Sequence, residues 1–178
     1  MATAISSALP LVSRHRLPSR RLTNLLGFLV CAALLGFGYY LQFGLHLEPC
    51  PLCILQRVAI FSTGIIFLLA AVHHPAAGGA RVYAILLALA AGTGAAVAAR
   101  HVWLQYFMPD ANKLACGMDL ASMLEVLSPW ETLRQVLRGT GDCTQINWSF
   151  LGLSIPAWAL IWLVFLGIVG AERNWRQA

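Results

Sequence analysis

Four long stretches of the chain are apolar and almost free of charged residues. Each is close to the roughly 20 residues that an α-helix needs to cross the hydrocarbon core of a bilayer. The pattern predicts an all-α membrane protein, a four-transmembrane-helix bundle that forms a single membrane domain over residues 22–171. A basic segment, 1–21, precedes it and a short tail, 172–178, follows. The predicted spans are about 22–45, 51–72, 82–104 and 151–169.

The third and fourth spans are joined by a long loop, about 105–150, with a mixed pattern. Apolar residues over 118–127 are interrupted by Asp119, Ser122 and Glu125, and the apolar spacing resumes beyond Pro129. This is typical of short amphipathic helices that lie on a bilayer surface. A small soluble cap folded over the spans is the alternative. Under both interpretations we expect the loop to lie near the outer end of the second span.

Composition supports the membrane interpretation. The chain of 178 residues is 59% hydrophobic and 11% charged, whereas a soluble domain averages about 25% charged residues. The net charge of +5 does not indicate nucleic-acid binding, because four of the twelve Lys and Arg residues precede the first span. The sequence also has no basic patch interleaved with aromatic residues.

The distribution of positive charge predicts the orientation. Four spans put both termini on one side of the membrane. The terminal side carries seven basic residues against Lys113, Arg134 and Arg138 on the other side. An excess of Lys and Arg marks the cytoplasmic side, so both termini are expected in the cytoplasm. Four of the five cysteines then face the outer compartment, where disulfides persist.

The run from Glu48 to Arg57 holds the most distinctive chemistry. If a helix begins at Pro51, where proline is well tolerated, Cys50 lies at its cap and Cys53 in its first turn. The free N–H groups and the dipole of a helix start favour a thiolate. Spacings of three, four and seven residues share one helical face, so both cysteines and Arg57 can face one small volume. The pattern indicates a redox dithiol at a membrane surface.

Metal and haem sites fit the cysteines less well. Cys116 and Cys143 are 27 residues apart, without the paired short spacing of zinc modules. Covalent haem attachment requires a histidine directly after the second cysteine, where Ile54 stands. We therefore predict no metal site. The second pair is either a disulfide that only closes the loop or the second dithiol of a relay.

A relay that oxidises proteins needs an electron acceptor, because thiol-disulfide exchange only moves oxidation between proteins. The sequence has no glycine-rich nucleotide fingerprint, and a quinone dissolved in the bilayer suits the position of Cys53. Arg57 is a candidate for binding a quinone oxygen or a thiolate, or else an interfacial anchor. His101 is a second candidate, or else an interfacial residue. The fifth cysteine, Cys31, is expected to be a small buried apolar residue.

Three runs of the sequence are distinctive: Cys50-Pro-Leu-Cys-Ile-Leu-Gln-Arg57, His101-Val-Trp-Leu-Gln105 and Gly141-Asp-Cys-Thr-Gln-Ile-Asn-Trp-Ser-Phe-Leu-Gly-Leu-Ser-Ile-Pro156. Together they resemble the DsbB family of bacterial disulfide bond formation proteins. The resemblance covers all four spans and the outer loop. It implies an enzyme of the bacterial inner membrane that reoxidises a periplasmic DsbA-type thiol oxidase and reduces ubiquinone or menaquinone.

The resemblance also implies residue roles. Cys116 would be attacked by the DsbA thiolate, with Cys143 as its disulfide partner. Cys50 and Cys53 would be the quinone-coupled pair, with Cys53 engaging the quinone. By the same resemblance, Arg57 and His101 would lie near the quinone. One departure is Gln56, where some members of the family have an acid.

Two alternatives predict different behaviour. Vitamin K epoxide reductase-like proteins share the architecture, but their membrane Cys-x-x-Cys follows the loop cysteines, and here the order is reversed. A non-catalytic four-span scaffold with a disulfide-closed loop would tolerate replacement of Cys50 and Cys53.

Overall fold

A computed structural model describes residues 19–73, 75–107, 120–139, 141–144, 146 and 148–176. The basic segment up to residue 18, and Cys116 with its neighbours, lie outside the described residues. Four described helices are long and apolar enough to cross a membrane, which confirms the predicted four-helix membrane fold. The helices are α1 (Arg20–Gly44), α2 (Pro51–His73), α3 (Ala77–Phe107), α4 (Leu120–Val126), α5 (Pro129–Arg138) and α6 (Ile155–Arg176).

Local sequence explains where the helices begin. Ser19 caps α1, since its side chain accepts a hydrogen bond from the backbone N–H of Leu22 (3.3 Å). Pro51 is the first residue of α2, where its missing N–H costs nothing. Ser128 caps α5 by accepting from the backbone N–H of Glu131 (3.3 Å). These starts follow the usual preference for a hydroxyl cap or an initial proline.

The four long helices pack around Phe67 of α2, which is 1% exposed. Two glycines make this packing possible. A Cβ atom on Gly27 of α1 would lie 2.8 Å from the Phe67 ring, and one on Gly170 of α6 would lie 2.6 Å from it. Cys31 is 1% exposed and belongs to the same cluster, as the sequence predicted for a buried apolar residue.

The end of the bundle near the chain termini, which we call the terminal end, is closed by two buried asparagines. Asn24 of α1 donates to Asn174 Oδ1 (3.1 Å), and Asn174 of α6 donates to Asn24 Oδ1 (2.8 Å). Both residues are 0% exposed. The pair satisfies two amides that would be costly to bury alone and joins the first long helix to the last.

The opposite end, where Cys50 and Cys53 lie, is the cysteine end. Here α4 and α5 fold over α2 and α3, and Met123 and Val136 pack with Leu52 and Leu104 in a second apolar cluster. The Thr132 hydroxyl ties the two short helices together by donating to the carbonyl oxygen of Met123 (3.3 Å). These two short helices of the loop are therefore held near the start of α2, as predicted for the loop.

A small antiparallel hairpin, which the hydrophobic pattern did not predict, precedes α6. Its strands are β1 (Ser149–Phe150) and β2 (Leu153–Ser154). The two residues between them, Leu151 and Gly152, have φ values of 52° and 78°, as a tight two-residue hairpin turn requires. The last long helix begins at Ile155, after the predicted start of the fourth span, because this turn uses the preceding residues.

Candidate functional site

Cys50 and Cys53 lie together at the start of α2. Cys50 immediately precedes the helix, and its carbonyl oxygen accepts from the backbone N–H of Ile54 (3.2 Å). Cys53 lies in the first turn, and the two sulfur atoms are 3.5 Å apart. Both side chains are half-buried. The helix start thus has the geometry predicted from the proline and the three-residue spacing.

His101 of α3 brings a third group to this pair. Its Nε2 lies 3.7 Å from Cys50 Sγ and 3.0 Å from the carbonyl oxygen of Cys143. The side chain is 2% exposed. Because a carbonyl oxygen only accepts hydrogen bonds, this contact places a proton on Nε2. His101 therefore presents an N–H group between the two regions that carry cysteines.

Cys143 joins the same cluster from the loop. It lies in a 3-10 turn (Gly141–Thr144) and is 1% exposed. The ligand atoms of Cys50, His101 and Cys143 all lie within 4.8 Å of one another. The fold therefore brings together residues that are 93 positions apart in sequence, from 50 to 143. The pairing of Cys143 with Cys116 stays a prediction, because Cys116 lies outside the described residues.

Gln56 orients His101. Its side chain is 3% exposed, and its Nε2 lies 3.0 Å from His101 Nδ1. With the amide in this orientation, Gln56 donates to Nδ1. Sequence reasoning noted Gln56 only as a departure from some family members. Its signal was its position three residues after Cys53, on the same helical face.

Arg57 is held against α1. Its Nη2 donates to the carbonyl oxygen of Gly38 (2.9 Å), and its Nη1 donates to Gln42 Oε1. Its guanidinium also lies over the Tyr39 ring, 5.2 Å from the centroid. These contacts fix the charge at the cysteine end of the bundle, on the inner face between α1 and α2.

A cavity of about 370 Å³ opens beside these residues. It lies between α1 and α6, and the start of α2 also lines it. Its volume is within the usual range of small-molecule sites. Much of its wall is apolar and aromatic. The polar residues on the wall include Cys50, Cys53, Gln56, Arg57 and His101.

Two further polar residues on the cavity wall were not singled out in the sequence. Ser154 Oγ donates to Gln105 Oε1 (2.7 Å), and both side chains are buried. The bond joins the hairpin to α3. Both residues fall inside the runs that carried the family resemblance, but no spacing rule distinguished them.

Aromatic residues in and around the hairpin form part of the cavity wall. The Trp158 indole N–H donates to the carbonyl oxygen of Phe150 (3.1 Å), and Phe150 stacks on Trp148 at 6.1 Å between centroids. Trp148 in turn meets Phe37 of α1 edge to face at 5.5 Å. An aromatic chain therefore links the first and last long helices along the cavity wall.

Comparison with known proteins identifies the family. The family model "Disulfide bond formation protein DsbB" matches residues 20–171. The chain belongs to the DsbB family. It is 50% identical over 151 residues to disulfide bond formation protein B of Xanthomonas axonopodis pv. citri, covering 84% of this chain and 87% of that protein. It is 47% identical over 159 residues to disulfide bond formation protein B of Methylococcus capsulatus, covering 89% and 96%.

Family membership and the four apolar helices together define the general function. The chain is a multi-pass membrane oxidoreductase of disulfide bond formation. The cysteine cluster is the described part of the structure with the chemistry that this function requires.

Proposed function

We propose that this DsbB-family protein reoxidises a periplasmic DsbA-type dithiol oxidase and passes the electrons through two cysteine pairs to a membrane quinone. The observation that carries the proposal is the cluster of Cys50, His101 and Cys143, whose ligand atoms lie within 4.8 Å of one another. A disulfide that only closed the loop would not need its sulfur beside the helix-start dithiol.

The relay balances in four thiol-disulfide exchanges. The DsbA thiolate attacks Cys116 of the Cys116–Cys143 disulfide, and a second attack within the mixed disulfide releases oxidised DsbA. The Cys143 thiolate then attacks Cys50 of the Cys50–Cys53 disulfide and displaces the Cys53 thiolate. Attack by Cys116 on Cys143 restores the loop disulfide and leaves Cys50 and Cys53 reduced. The role of Cys116 rests on the family resemblance.

His101 assists the exchange between the pairs. Its Nε2–H points to the space shared by Cys50 Sγ and the Cys143 backbone. A hydrogen bond to a thiolate is charge-assisted and therefore stronger than one to a thiol. His101 thus stabilises the sulfur anion that forms at Cys50 or Cys143, and Gln56 keeps the ring in position.

The cavity fits a quinone head group. A quinone accepts two electrons and two protons when a dithiol becomes a disulfide. Cys53 and Arg57 line the same cavity, with a thiol to supply the electrons and a fixed cation to hold an oxygen atom. The aromatic and aliphatic wall suits a planar apolar ring, and the cavity lies between two apolar helices. Ubiquinone and menaquinone both meet this description.

The proposal also sets the orientation. Both termini are in the cytoplasm of a bacterial inner membrane, and the loop and cysteines face the periplasm. The support is the excess of basic residues on the terminal side, seven against three. The membrane domain then extends over 22–171, between the basic segment 1–21 and the tail 172–178.

Quinone reduction by the purified protein tests the proposal. The protein is prepared in detergent with quinone, reduced DsbA is added, and quinone absorbance is followed. We expect reduction by wild type and by Cys31→Ser, whose sulfur lies in the core away from the cluster. Cys53→Ser and Cys116→Ser should both be inactive. Quinone reduction that persists in either of these two variants would contradict the relay.

A further inference from the structure

Three soft ligand atoms, those of Cys50, Cys143 and His101, lie within 4.8 Å of one another at the cysteine end, and Cys53 Sγ lies beside Cys50 Sγ. Cys50 Sγ is 3.5 Å from Cys53 Sγ and 3.7 Å from His101 Nε2. Cys143 Sγ lies within 4.8 Å of both Cys50 Sγ and the imidazole. In a tetrahedral zinc site with Zn–S near 2.3 Å and Zn–N near 2.0 Å, sulfur atoms are roughly 3.8 Å apart and sulfur and nitrogen roughly 3.5 Å apart.

We propose that the reduced protein binds a thiophilic d10 cation of the Zn²⁺ class at Cys50, Cys143 and His101, with Cys53 as the fourth ligand once its side chain turns toward the ion, and that the bound ion stops the relay. Three thiolates and one imidazole form a closed four-ligand set of the kind that structural zinc sites use. The site is a reversible inhibitory one. It goes beyond the proposed function, because ion binding requires neither quinone nor a protein partner.

Gln56 supports this ligand set. Metal-bound histidines almost always use their other ring nitrogen to donate a hydrogen bond, and loss of that bond typically costs 10- to 100-fold in affinity. Gln56 already lies 3.0 Å from His101 Nδ1. Rotation of the Gln56 amide places Gln56 Oε1 where Gln56 Nε2 now lies. His101 Nδ1–H then donates to Gln56, and His101 Nε2 can bind the ion. The change needs a different tautomer, and it replaces the hydrogen bond from Nε2–H to the Cys143 carbonyl oxygen with a bond from Nε2 to the ion.

The surroundings select the class of ion. His101 and Cys143 are 2% and 1% exposed, so the ion would be bound largely out of water. Thiolate and imidazole favour zinc-like ions, whereas Mg²⁺ and Ca²⁺ require oxygen ligands. The predicted site therefore discriminates against the abundant hard cations.

Only the reduced protein offers these ligands. In the Cys50–Cys53 and Cys116–Cys143 disulfides the sulfur atoms are not thiolates and bind such an ion poorly. Each thiol that binds the ion releases a proton, so affinity rises with pH. The bound ion occupies Cys50 and Cys143 at once, and these are the two sulfurs that must meet for exchange between the pairs.

Cobalt binding tests the proposal directly. The full-length protein is reduced with a phosphine in detergent without quinone and titrated with Co²⁺, with Zn²⁺ added afterwards as competitor. We expect one Co²⁺ per chain, with intense tetrahedral ligand-field bands and sulfur-to-cobalt charge transfer equivalent to three thiolates. Zn²⁺ should abolish both signals. The disulfide-oxidised protein should give neither.

Matched variants locate the site. His101→Ala and Cys143→Ser should lose the tetrahedral spectrum, while Cys31→Ser and Cys116→Ser should retain it. Gln56→Leu should weaken binding by at least roughly tenfold. Gln56→Glu should bind as wild type does, because a carboxylate also accepts from Nδ1.

Three results would overturn the proposal. The first is equal binding by the oxidised protein, and the second is loss of the spectrum in Cys116→Ser with retention in Cys143→Ser. The third is charge transfer from fewer than three thiolates in wild type, a measurement that does not depend on the folding of any variant. Inhibition of the relay is a separate readout, so the site can be established or rejected even if the proposed electron acceptor is wrong.

Discussion

The two ends of the four-helix bundle differ in how α1 and α6 pack: the helices are in contact at one end and border a cavity at the other. At the terminal end, α1 and α6 meet through the reciprocal Asn24–Asn174 bonds, next to the tight packing of Phe67 on two glycines. At the cysteine end the same helices border a cavity of about 370 Å³. Contacts at the terminal end hold the helices in place. The cysteine end can therefore keep a cavity and reactive thiols between the same helices.

The largest loss of activity is expected when exchange between the two cysteine pairs at the cysteine end is blocked. Cys50→Ser should reduce DsbA-dependent quinone reduction to the uncatalysed rate, because Cys50 Sγ lies within 4.8 Å of the ligand atoms of both His101 and Cys143. Helix content and the thermal transition, measured by circular dichroism in detergent, should match wild type. Cys31→Ser is the matched control and should stay active. An active Cys50→Ser enzyme would favour a non-catalytic role for the dithiol.

For a substitution in the packing near the terminal end we expect a loss of stability instead of a loss of activity. Phe67→Ala removes the ring around which four helices pack and should cost about 3–5 kcal/mol. The thermal transition in detergent should fall clearly, while the protein that remains folded keeps its quinone reduction rate. Loss of activity without loss of stability would mean that the two ends are not separate in function.

Arg57 tests whether the cavity binds quinone. Arg57→Ala should raise the apparent quinone KM by at least roughly tenfold, because a hydrogen bond from a charged group contributes about 1.5–3 kcal/mol. The rate of thiol exchange with DsbA should be nearly unchanged. Quenched gel assays of the thiol state measure that rate.

Arg100→Ala is a suitable control for that experiment. Arg100 also lies at the cysteine end, but its guanidinium donates to the carbonyl oxygen of Leu137 at the end of α5 (3.0 Å) and does not line the cavity. Its quinone KM should therefore stay close to wild type. An unchanged quinone dependence in Arg57→Ala would return Arg57 to the role of an interfacial anchor.

The smallest effect concerns the asparagine pair. Asn24→Leu and Asn174→Leu should each destabilise the protein, since each leaves one buried amide with fewer partners. The double variant should be more stable than the sum of the single effects predicts. The coupling energy should be about 0.6 kcal/mol and at most about 1.7 kcal/mol, as for other hydrogen bonds between membrane helices. Strict additivity in a double-mutant cycle would show that the two amides do not interact.

The sequence was informative wherever the signal is local. Long apolar stretches predicted the four helices, Pro51 predicted the start of α2, and the burial of Cys31 followed from its apolar surroundings. The hairpin before α6 was missed because strands of two residues are too short for periodicity to register. Its positive φ value at Leu151 also runs against the preference of a branched residue.

The candidate site divides in the same way. The three-residue spacing of Cys50 and Cys53 predicts their proximity, because a helix start places such residues side by side. The spacing of the loop cysteines argued against a zinc module, and that argument considered only ligands close in sequence. The fold adds His101 and Cys143 to the first pair from two other elements, and it places Gln56 against the histidine.

The amino-acid sequence alone determines that this protein is a four-helix membrane protein with a dithiol at a helix start, because hydrophobicity and helix capping act over a few residues. Only the tertiary structure decides which distant groups meet that dithiol, that Arg57 is held by α1, and that α1 and α6 separate around a cavity. Those features depend on how helix faces pack across the bundle. Packing is a property of pairs of elements, and a single sequence does not record which pairs are in contact.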